Sequence, residues 1–460
     1  MKTTLHVSAL MNATPNRSSK WQIAVAILSA ALTFSVAATA SAAPKKKAPA
    51  TNIVYITSNN PTPGENAVLA FSRDEADGSL TLFGHFLTDG TGFYNSNERL
   101  GPDDSDQELI IDPDRRLLFA VNSGSDTIAV FRIHPDGSLT PAQGSPFPSG
   151  GVNPVSLGLS GNQLYVVNKG NVDPGQTPGP DAALPNYTGF RVAGNGHLSR
   201  IPHSTIEVGA GSDPTQALIS PDGNLLFGSD LFAIPFPPPP GFPPFIPPFA
   251  SALESFRIKP NGRLVQGPNT PQPAQVPPPF PPYILGLQVH PTERLLYVGF
   301  VAGNAMGTYS YDETGAVTFL NVAPSTGLGI CWIRVNDEGT FAYTSNSTDD
   351  SISVYSLADP FNPVEVQKLD LKGPKELLGG PPAPVIFTTS PFQLSLDPSG
   401  KFLYVVNHEN TVDDSFPEGN ALHILQVGAD GKLTETADSP LILPQALVPA
   451  GAHPKGIVVQ

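Results

Sequence analysis

From residue 52 to the C-terminus, short apolar runs alternate with a period of two and are separated by Gly, Asn, Asp and Pro. This is the pattern of half-buried strands joined by tight turns. One phrase repeats. It has an apolar strand, a Pro-Asp-Gly-like turn, a Leu-Tyr-Val strand ending in Asn or Ser, a variable connection, a short alternating strand, an Asp-Gly turn and a last strand opening on Leu. Its clearest copy is ELIIDPDRRLLFAVNSGSDTIAVFRIHPDGSLT, from Glu108 to Thr140. Others start at Gln216, Leu285, Cys331 and Gln393, and a weaker one, with its first turn two residues shorter, starts at Pro154. The remaining copy is split: NIVYITSN from Asn52 and AVLAFSRDEADGSLTLF supply its later strands, and HPKGIVVQ from His453 supplies its first.

These copies make seven units of four short strands over residues 52–460. A four-stranded sheet with two apolar faces cannot stand alone in water, so the units are expected to stack around an axis as blades. The split copy points to a ring, because a C-terminal strand completing the N-terminal blade leaves no open edge. The expected fold is an all-β, seven-bladed β-propeller with four-stranded blades, closed by the C-terminal strand. Blades are numbered one to seven from the split copy.

In such a ring, the first-to-second and third-to-fourth strand turns share one face. The second-to-third and blade-to-blade connections share the other. The first set is tight here, and the long insertions at 88–107, 169–186, 230–251, 267–283, 372–390, 408–420 and 440–452 all belong to the second. Long loops on a rigid scaffold are where binding concentrates. Two are proline-dense, 233–250 and 271–283, with Phe236, Phe242, Phe245 and Phe249 set among the prolines. Proline fixes φ and removes a donor, so polyproline II is expected there in preference to added strand. The rings form either a docking surface for a protein or polymer or a cap packed on neighbouring loops. Aggregation of exposed Phe clusters favours the cap.

The formal net charge of −15 argues against nucleic acid and anionic membrane as partners, since both call for clustered Lys and Arg. Cys331 is the one cysteine, so no internal disulfide is expected, and its apolar neighbours make it a small buried hydrophobe. At the N-terminus, basic Lys2, Arg17 and Lys20 precede an apolar run from Trp21 to Ala37 and A-x-A sites ending at Ala40 and Ala42. Residues 1–42 are therefore expected to be a cleaved export signal, with 43–51 a disordered leader. A membrane anchor is the alternative reading of the run, and cleavage would leave no stable membrane insertion. The mature protein is expected in the periplasm or outside the cell, as a monomer.

The phrases HPDGSLT, LSLDPSGKFLYVVN and SPDGNLLFGSDL resemble the β-propeller lactonase family, which includes bacterial 6-phosphogluconolactonases and a fungal muconate cycloisomerase relative. The likeness runs from Asn52 to Gln460. It implies hydrolysis of a sugar or acid lactone at the mouth of the central channel. The family's motifs are only partly kept. Its His-x-His pair before the turn of blade four is Asp213 and Thr215 here, while its strand-end Asp-Leu is kept as Asp230-Leu231. Its Pro-Arg-His opening of blade five is Ile284, Leu285 and Gly286, and the Asn-Glu closing that blade's second strand is Phe300-Val301. An arginine at the entry of blade seven is Phe392, and the closing strand carries Lys455. A phosphorylated substrate calls for Arg or Lys at such positions, so a 6-phosphogluconolactonase activity is a poor fit.

Aligned on the turns, the first strands project Glu108, Ser156, Gln216, Gly286, Trp332, Gln393 and Gly456 towards the channel mouth. Gln107, Thr215, Arg334 and Lys455 are close in register. Opening a lactone requires a base for water and a cation or donor for the oxyanion. Glu108 is the candidate base, with Arg334 or Lys455 as electrophilic partner. Gln107, Thr215, Gln216, Asp230, Trp332 and Gln393 are candidates for substrate binding. The plainer alternative is a solvated channel lining. Acid-rich segments at 101–108 and 407–420 offer oxygens of the kind Ca²⁺ takes, without EF-hand spacing, and neither a metal nor a cofactor is assigned. The expected function is an exported lactonase-like propeller acting on or binding a small carbohydrate or organic-acid lactone. The alternative is a non-catalytic binding or scaffold propeller.

Overall fold

The chain reverses where its Asp-Gly and Asn-Gly pairs stand. The computed structural model describes residues 52–93, 104–171, 179–209, 212–235, 249–270, 272–273, 283–377, 387–411 and 414–460. Ser79 N donates to Asp77 Oδ1 at 2.9 Å and Ser138 N to Asp136 Oδ1 at 3.0 Å, while Gly78 and Gly137 hold φ of 76° and 82°. A carboxylate accepting the N–H two residues on, beside a left-handed glycine, fixes each hairpin. No α-helix occurs among the described residues.

The strands form seven antiparallel sheets ordered as four-stranded meanders. The inner strands of blades two to seven begin the repeats: Leu109–Asp112, Pro154–Ser160, Leu218–Ile219, Ile284–Val289, Ile330–Val335 and Thr389–Leu396. Blade one takes its inner strand from the chain end. Lys455–Val459 pairs with Ile53–Thr57, which pairs in turn with Ala67–Arg73 and then Leu80–Leu87. The seven-bladed, four-stranded propeller with C-terminal closure is thus the observed fold. In blades two, three, four and seven the outer edge is split, and a two-residue strand pairs beside the fourth. A hydroxyl fills the gap: Ser145 Oγ accepts from Val130 N at 2.8 Å and Ser439 Oγ from Ile424 N at 2.9 Å.

Blade four departs from the expectation at its proline-rich loops. After a bulge at Asp230, its second and third strands run on as Leu225–Pro235 and Phe249–Ile258, pairing Ile234 with Ala250 and Pro235 with Phe249. Gln272–Pro273 adds a short edge strand beside Ala252 and Leu253. Proline is tolerated at a strand end or outer edge, where its missing N–H leaves no gap in the ladder. Residues 236–248 and 274–282, with Phe236, Phe242 and Phe245, lie outside the described residues, as do 1–51 with the expected export signal.

The cores lie between blades. Phe119, Val130, Leu157 and Val166 pack between blades two and three, and Ile56, Phe71, Tyr404 and Ile424 between seven and one. Tyrosines on second strands reach the next blade's outer turn. Tyr55 donates to Gly137 O at 2.7 Å, Tyr165 to Gly262 O at 3.1 Å, and Tyr404 to Gly78 O at 2.8 Å. Burial raises all three phenol pKa values, so they stay neutral donors. The seam between blades seven and one carries in addition a buried ion pair, Arg73 to Asp397 at 3.2 Å.

Removing one partner of a buried pair strands the other charge, at a cost of about 3–5 kcal/mol. Arg73→Met is therefore expected to lower the stability measured by denaturant unfolding by about that amount. A loss below about 1 kcal/mol would show that the seam pair is not a major tie.

Candidate functional site

Several inner strands start irregularly at the centre. Ile330 pairs with Asn346 but Ile333 with Thr344, and Pro391 pairs with Asn407 but Leu394 with Val405. Two residues therefore oppose one, at Cys331-Trp332 and at Phe392-Gln393. The same happens at Leu285-Gly286 in blade five, and a register break between Ile56 and Thr57 leaves Gly456 unpaired in blade one. A bulge re-aims a side chain and leaves backbone groups unpaired. Hydroxyls satisfy those groups: Ser229 Oγ of blade four donates to Leu285 O at 2.7 Å, and within their own blades Trp332 N donates to Ser345 Oγ at 3.2 Å and Thr57 Oγ1 to Lys455 O at 2.7 Å. Gly286 is required at its bulge, because a Cβ there would lie 2.4 Å from Cys331 O.

Into this ring runs the segment Ser105-Asp106-Gln107-Glu108, which leads to the inner strand of blade two. It touches four other blades. Leu157 N donates to Gln107 O at 3.0 Å and Asp106 N to Thr215 O at 3.3 Å. Arg334 of blade six grips Asp106 with both arms, Nη1 to Oδ2 at 2.6 Å and Nη2 to Oδ1 at 2.8 Å. Gln393 Nε2 of blade seven donates to Ser105 O at 2.9 Å and also to Glu108 Oε2. Gln216 donates to Gln107 Oε1 at 2.8 Å, and its amide exchanges a reciprocal pair of bonds with the Leu287 backbone.

Glu108 lies at the heart of this network. Its side chain accepts from Ser105 Oγ at 2.8 Å. Burial pushes its carboxyl up to about 7, against the lowering pull of Lys455 and of the Gln393 and Ser105 hydrogen bonds, with the Asp106 charge adding to the rise. Lys455 places its ammonium 5.7 Å from the centre of the Phe392 ring, and Trp332 meets the same ring edge-on at 5.1 Å. Glu108 is 2% exposed, Gln393 and Lys455 1% each, so the cluster is shielded from bulk solvent and its charges act at low dielectric. Burial opposes the charge on Arg334, but the Asp106 and Glu108 carboxyls raise its pKa above the ordinary value. Two buried polar atoms here, Trp332 Nε1 and Gln393 Oε1, have no hydrogen-bond partner among the described residues. Such atoms are rare in folded proteins and mark places where water or a ligand is expected.

A second polar cluster, which the sequence reasoning missed apart from Asp230, lies beside it on blades three and four. Lys169 Nζ meets Asp213 Oδ1 at 2.8 Å, with both side chains buried. Asp213 N donates to Asp230 Oδ1, and Thr270 Oγ1 donates to Glu254 Oε2 at 3.0 Å. Burial raises all three acids. Asp230 goes well above the ordinary range with the Glu254 and Asp213 charges adding, Glu254 goes up to about 7, and Asp213 rises against the pull of Lys169. The available signal was Glu254, a carboxylate inside the strand ALESFRI at an inward-facing register.

Comparison with known proteins follows the same lines. The family model described as Lactonase, 7-bladed beta-propeller matches residues 279–407, which span blades five and six and the first half of blade seven. No curated protein matches significantly. Among solved structures, the chain is similar to a candidate 6-phosphogluconolactonase from Bacteroides fragilis, with 15% identity, TM-score 0.61, and 89% of this chain and 98% of that one covered. It is also similar to a periplasmic gluconolactonase from Pseudomonas aeruginosa, with 17% identity, TM-score 0.58, and coverage of 89% and 99%. A hypothetical selenium-binding protein from Sulfolobus tokodaii shares the fold as well, at 12% identity and TM-score 0.59, with 90% and 94% covered. Identities this low carry the fold alone, so the family signal rests on residues 279–407. The chain is a lactonase-like seven-bladed β-propeller, bearing the signature of the propeller lactonase family over those residues.

Proposed function

We propose that the protein hydrolyses a small carbohydrate or organic-acid lactone at the axial cluster, with Glu108 as general base and Lys455 as the electrophilic partner. The observation that carries this is the buried Glu108 carboxyl, with a pKa of about 7, in the field of the Lys455 ammonium. A group with a pKa near neutrality is suited to taking and returning a proton at physiological pH. In the proposed reaction, Glu108 carboxylate takes a proton from water as the oxygen attacks the lactone carbonyl carbon. Lys455 stabilises the resulting oxyanion. The ring C–O bond then breaks, and its alkoxide takes the proton from Glu108, giving the hydroxy acid and the starting carboxylate.

Other residues take supporting roles. Arg334 is engaged by Asp106 and so positions the Ser105–Glu108 segment, with Thr215 and Gln216 of blade four holding it through Asp106 and Gln107. Trp332 Nε1 and Gln393 Oε1 supply polar contacts to substrate, and Asp230 lines the neighbouring acidic cluster. The expected export signal at 1–42 places the enzyme in the periplasm or outside the cell. No helix among the described residues is long and apolar enough to cross a membrane. The near-complete burial of Glu108, Gln393 and Lys455 favours a second reading, in which the cluster only holds the ring and the propeller is a binding module.

A pH-stat screen of the mature chain on aldonolactones and simple γ- and δ-lactones separates these readings. Turnover is expected, falling about 10²–10⁴-fold in Glu108→Gln, the usual range for a lost general base, and comparably in Lys455→Met. Folded protein without turnover on any lactone would leave the binding module.

The raised carboxyls also set a pH dependence of stability. Their protons are held more tightly in the folded protein than in the unfolded chain. Stability is therefore fullest below the ordinary carboxylate range and is lost as pH rises towards about 7. Below about pH 4, protonation of turn carboxylates such as Asp77 and Asp136, held low by donors from Ser79 and Ser138, acts in the opposite direction. The melting temperature is expected to be higher at pH 6 than at pH 8, with Glu108→Gln flattening the slope. A wild-type melting temperature that rises from pH 6 to pH 8 would contradict the assignment.

A further inference from the structure

Three ligand-type side chains converge where the ring closes. A carboxylate oxygen of Glu409, one of Asp414 and a ring nitrogen of His453 lie within 4.8 Å of one another. Glu409 ends the second strand of blade seven, Phe402–Glu409, and Asp414 follows in the connection to the third. His453 comes from the opposite side of the seam, two residues before the closing strand Lys455–Val459.

Glu409 is held as a metal ligand is held. Its Oε2 accepts from Thr411 Oγ1 at 3.2 Å and from Phe416 N at 3.0 Å, and its own N–H donates to Asn420 Oδ1 at 3.1 Å. Its other oxygen, Oε1, is fully buried and has no hydrogen-bond partner among the described residues. A carboxylate oxygen left that way costs several kcal/mol unless something positive meets it. His453 is oriented by His408, whose ring stacks on it at 4.7 Å and 18°, and His408 Nδ1 donates in turn to Glu409 O at 2.6 Å. Phe392 meets the outer face of His408 edge-on at 5.0 Å. Such outer contacts fix the ligand geometry that a metal requires.

We infer that Glu409, Asp414 and His453 bind a divalent transition-metal ion of the zinc type, which ties blade seven to the closing segment. One imidazole with two carboxylates is a donor set for Zn²⁺ or a neighbouring first-row dication, with remaining positions for water. Ca²⁺ takes six to eight oxygens and makes little use of imidazole, so it does not suit these ligands. At metal–ligand bonds of about 2.0–2.2 Å the three atoms must draw in by about 1 Å. Half-buried Asp414 is the side chain placed to make that adjustment. The ion would add a cross-link at the seam, where the Arg73–Asp397 pair and the Tyr404–Gly78 hydrogen bond already act.

The test strips the mature full-length propeller with EDTA, reloads it with Zn²⁺ and removes excess ion by gel filtration. About one zinc per chain by elemental analysis is expected, with a rise of several degrees in melting temperature over the stripped protein. Glu409→Gln and Asp414→Asn are each expected to weaken zinc binding at least tenfold and to abolish the thermal shift. If buried Glu409→Gln does not fold, half-exposed Asp414→Asn still decides the matter. Folded wild type that retains no zinc, zinc binding unchanged in Asp414→Asn, or stabilisation by Ca²⁺ in place of Zn²⁺ would each overturn the inference.

Discussion

The structure depends on one pairing, that of the chain end with the chain start. Lys455–Val459 adds to Ile53–Thr57, and Gln460 and Ile53 exchange backbone hydrogen bonds at 2.9 and 3.2 Å. Without it, blade one would expose an unpaired strand edge and blade seven an apolar face, two liabilities that a closed propeller removes. The pairing also joins residues about 400 positions apart, so the closure entropy of a long chain opposes it. That cost grows only slowly with length, and the seam offsets it with the packing of Ile56, Phe71, Tyr404 and Ile424 around the Arg73–Asp397 pair. The closing strand also carries chemistry, because it delivers Lys455 to the axis and His453 to the seam.

At the axis, the chain sets aside the rule that builds the blades. Blade cores are apolar, whereas the centre gathers Asp106, Glu108, Gln216, Arg334, Gln393 and Lys455, all but Arg334 fully buried, around the Ser105–Glu108 segment. Burying charge is expensive, and only dense pairing makes it tolerable. Asp106 meets that condition through the two-armed Arg334 contact, and Glu108 through a carboxyl raised by burial to titrate near neutrality. Departures from local consistency of this kind concentrate where a protein works. The bulge at Phe392-Gln393 contributes, placing Gln393 against Ser105 and Glu108.

The fold was legible in the sequence because its repeat uses the same turn chemistry in every blade, and because the split copy at Asn52 and His453 exposed the closure. The turn alignment also brought forward Glu108, Gln216 and Gln393, which the structure joins through the Ser105–Glu108 segment. Less of the site could be read. The bulges at Phe392-Gln393 and Cys331-Trp332 insert a residue with no local signature, so exact partners such as Gln393 with Ser105 and Glu108 depended on tertiary register. The fork between Arg334 and Asp106 joins residues 228 positions apart and left no trace in spacing. In blade four, proline content pointed away from strand, yet tertiary pairing carried the hairpin on to Pro235 and Phe249.

The account's central claim is that Glu108 holds a proton near neutrality in a buried axial network. Infrared difference spectroscopy of wild type against Glu108→Gln, stepped from pH 5 to pH 9, tests it without any substrate. The account predicts a protonated-carboxyl C=O band that is absent from the variant and disappears with a midpoint near pH 7. A Glu108 already ionised at pH 5, with no variant-dependent band anywhere in that range, would contradict it.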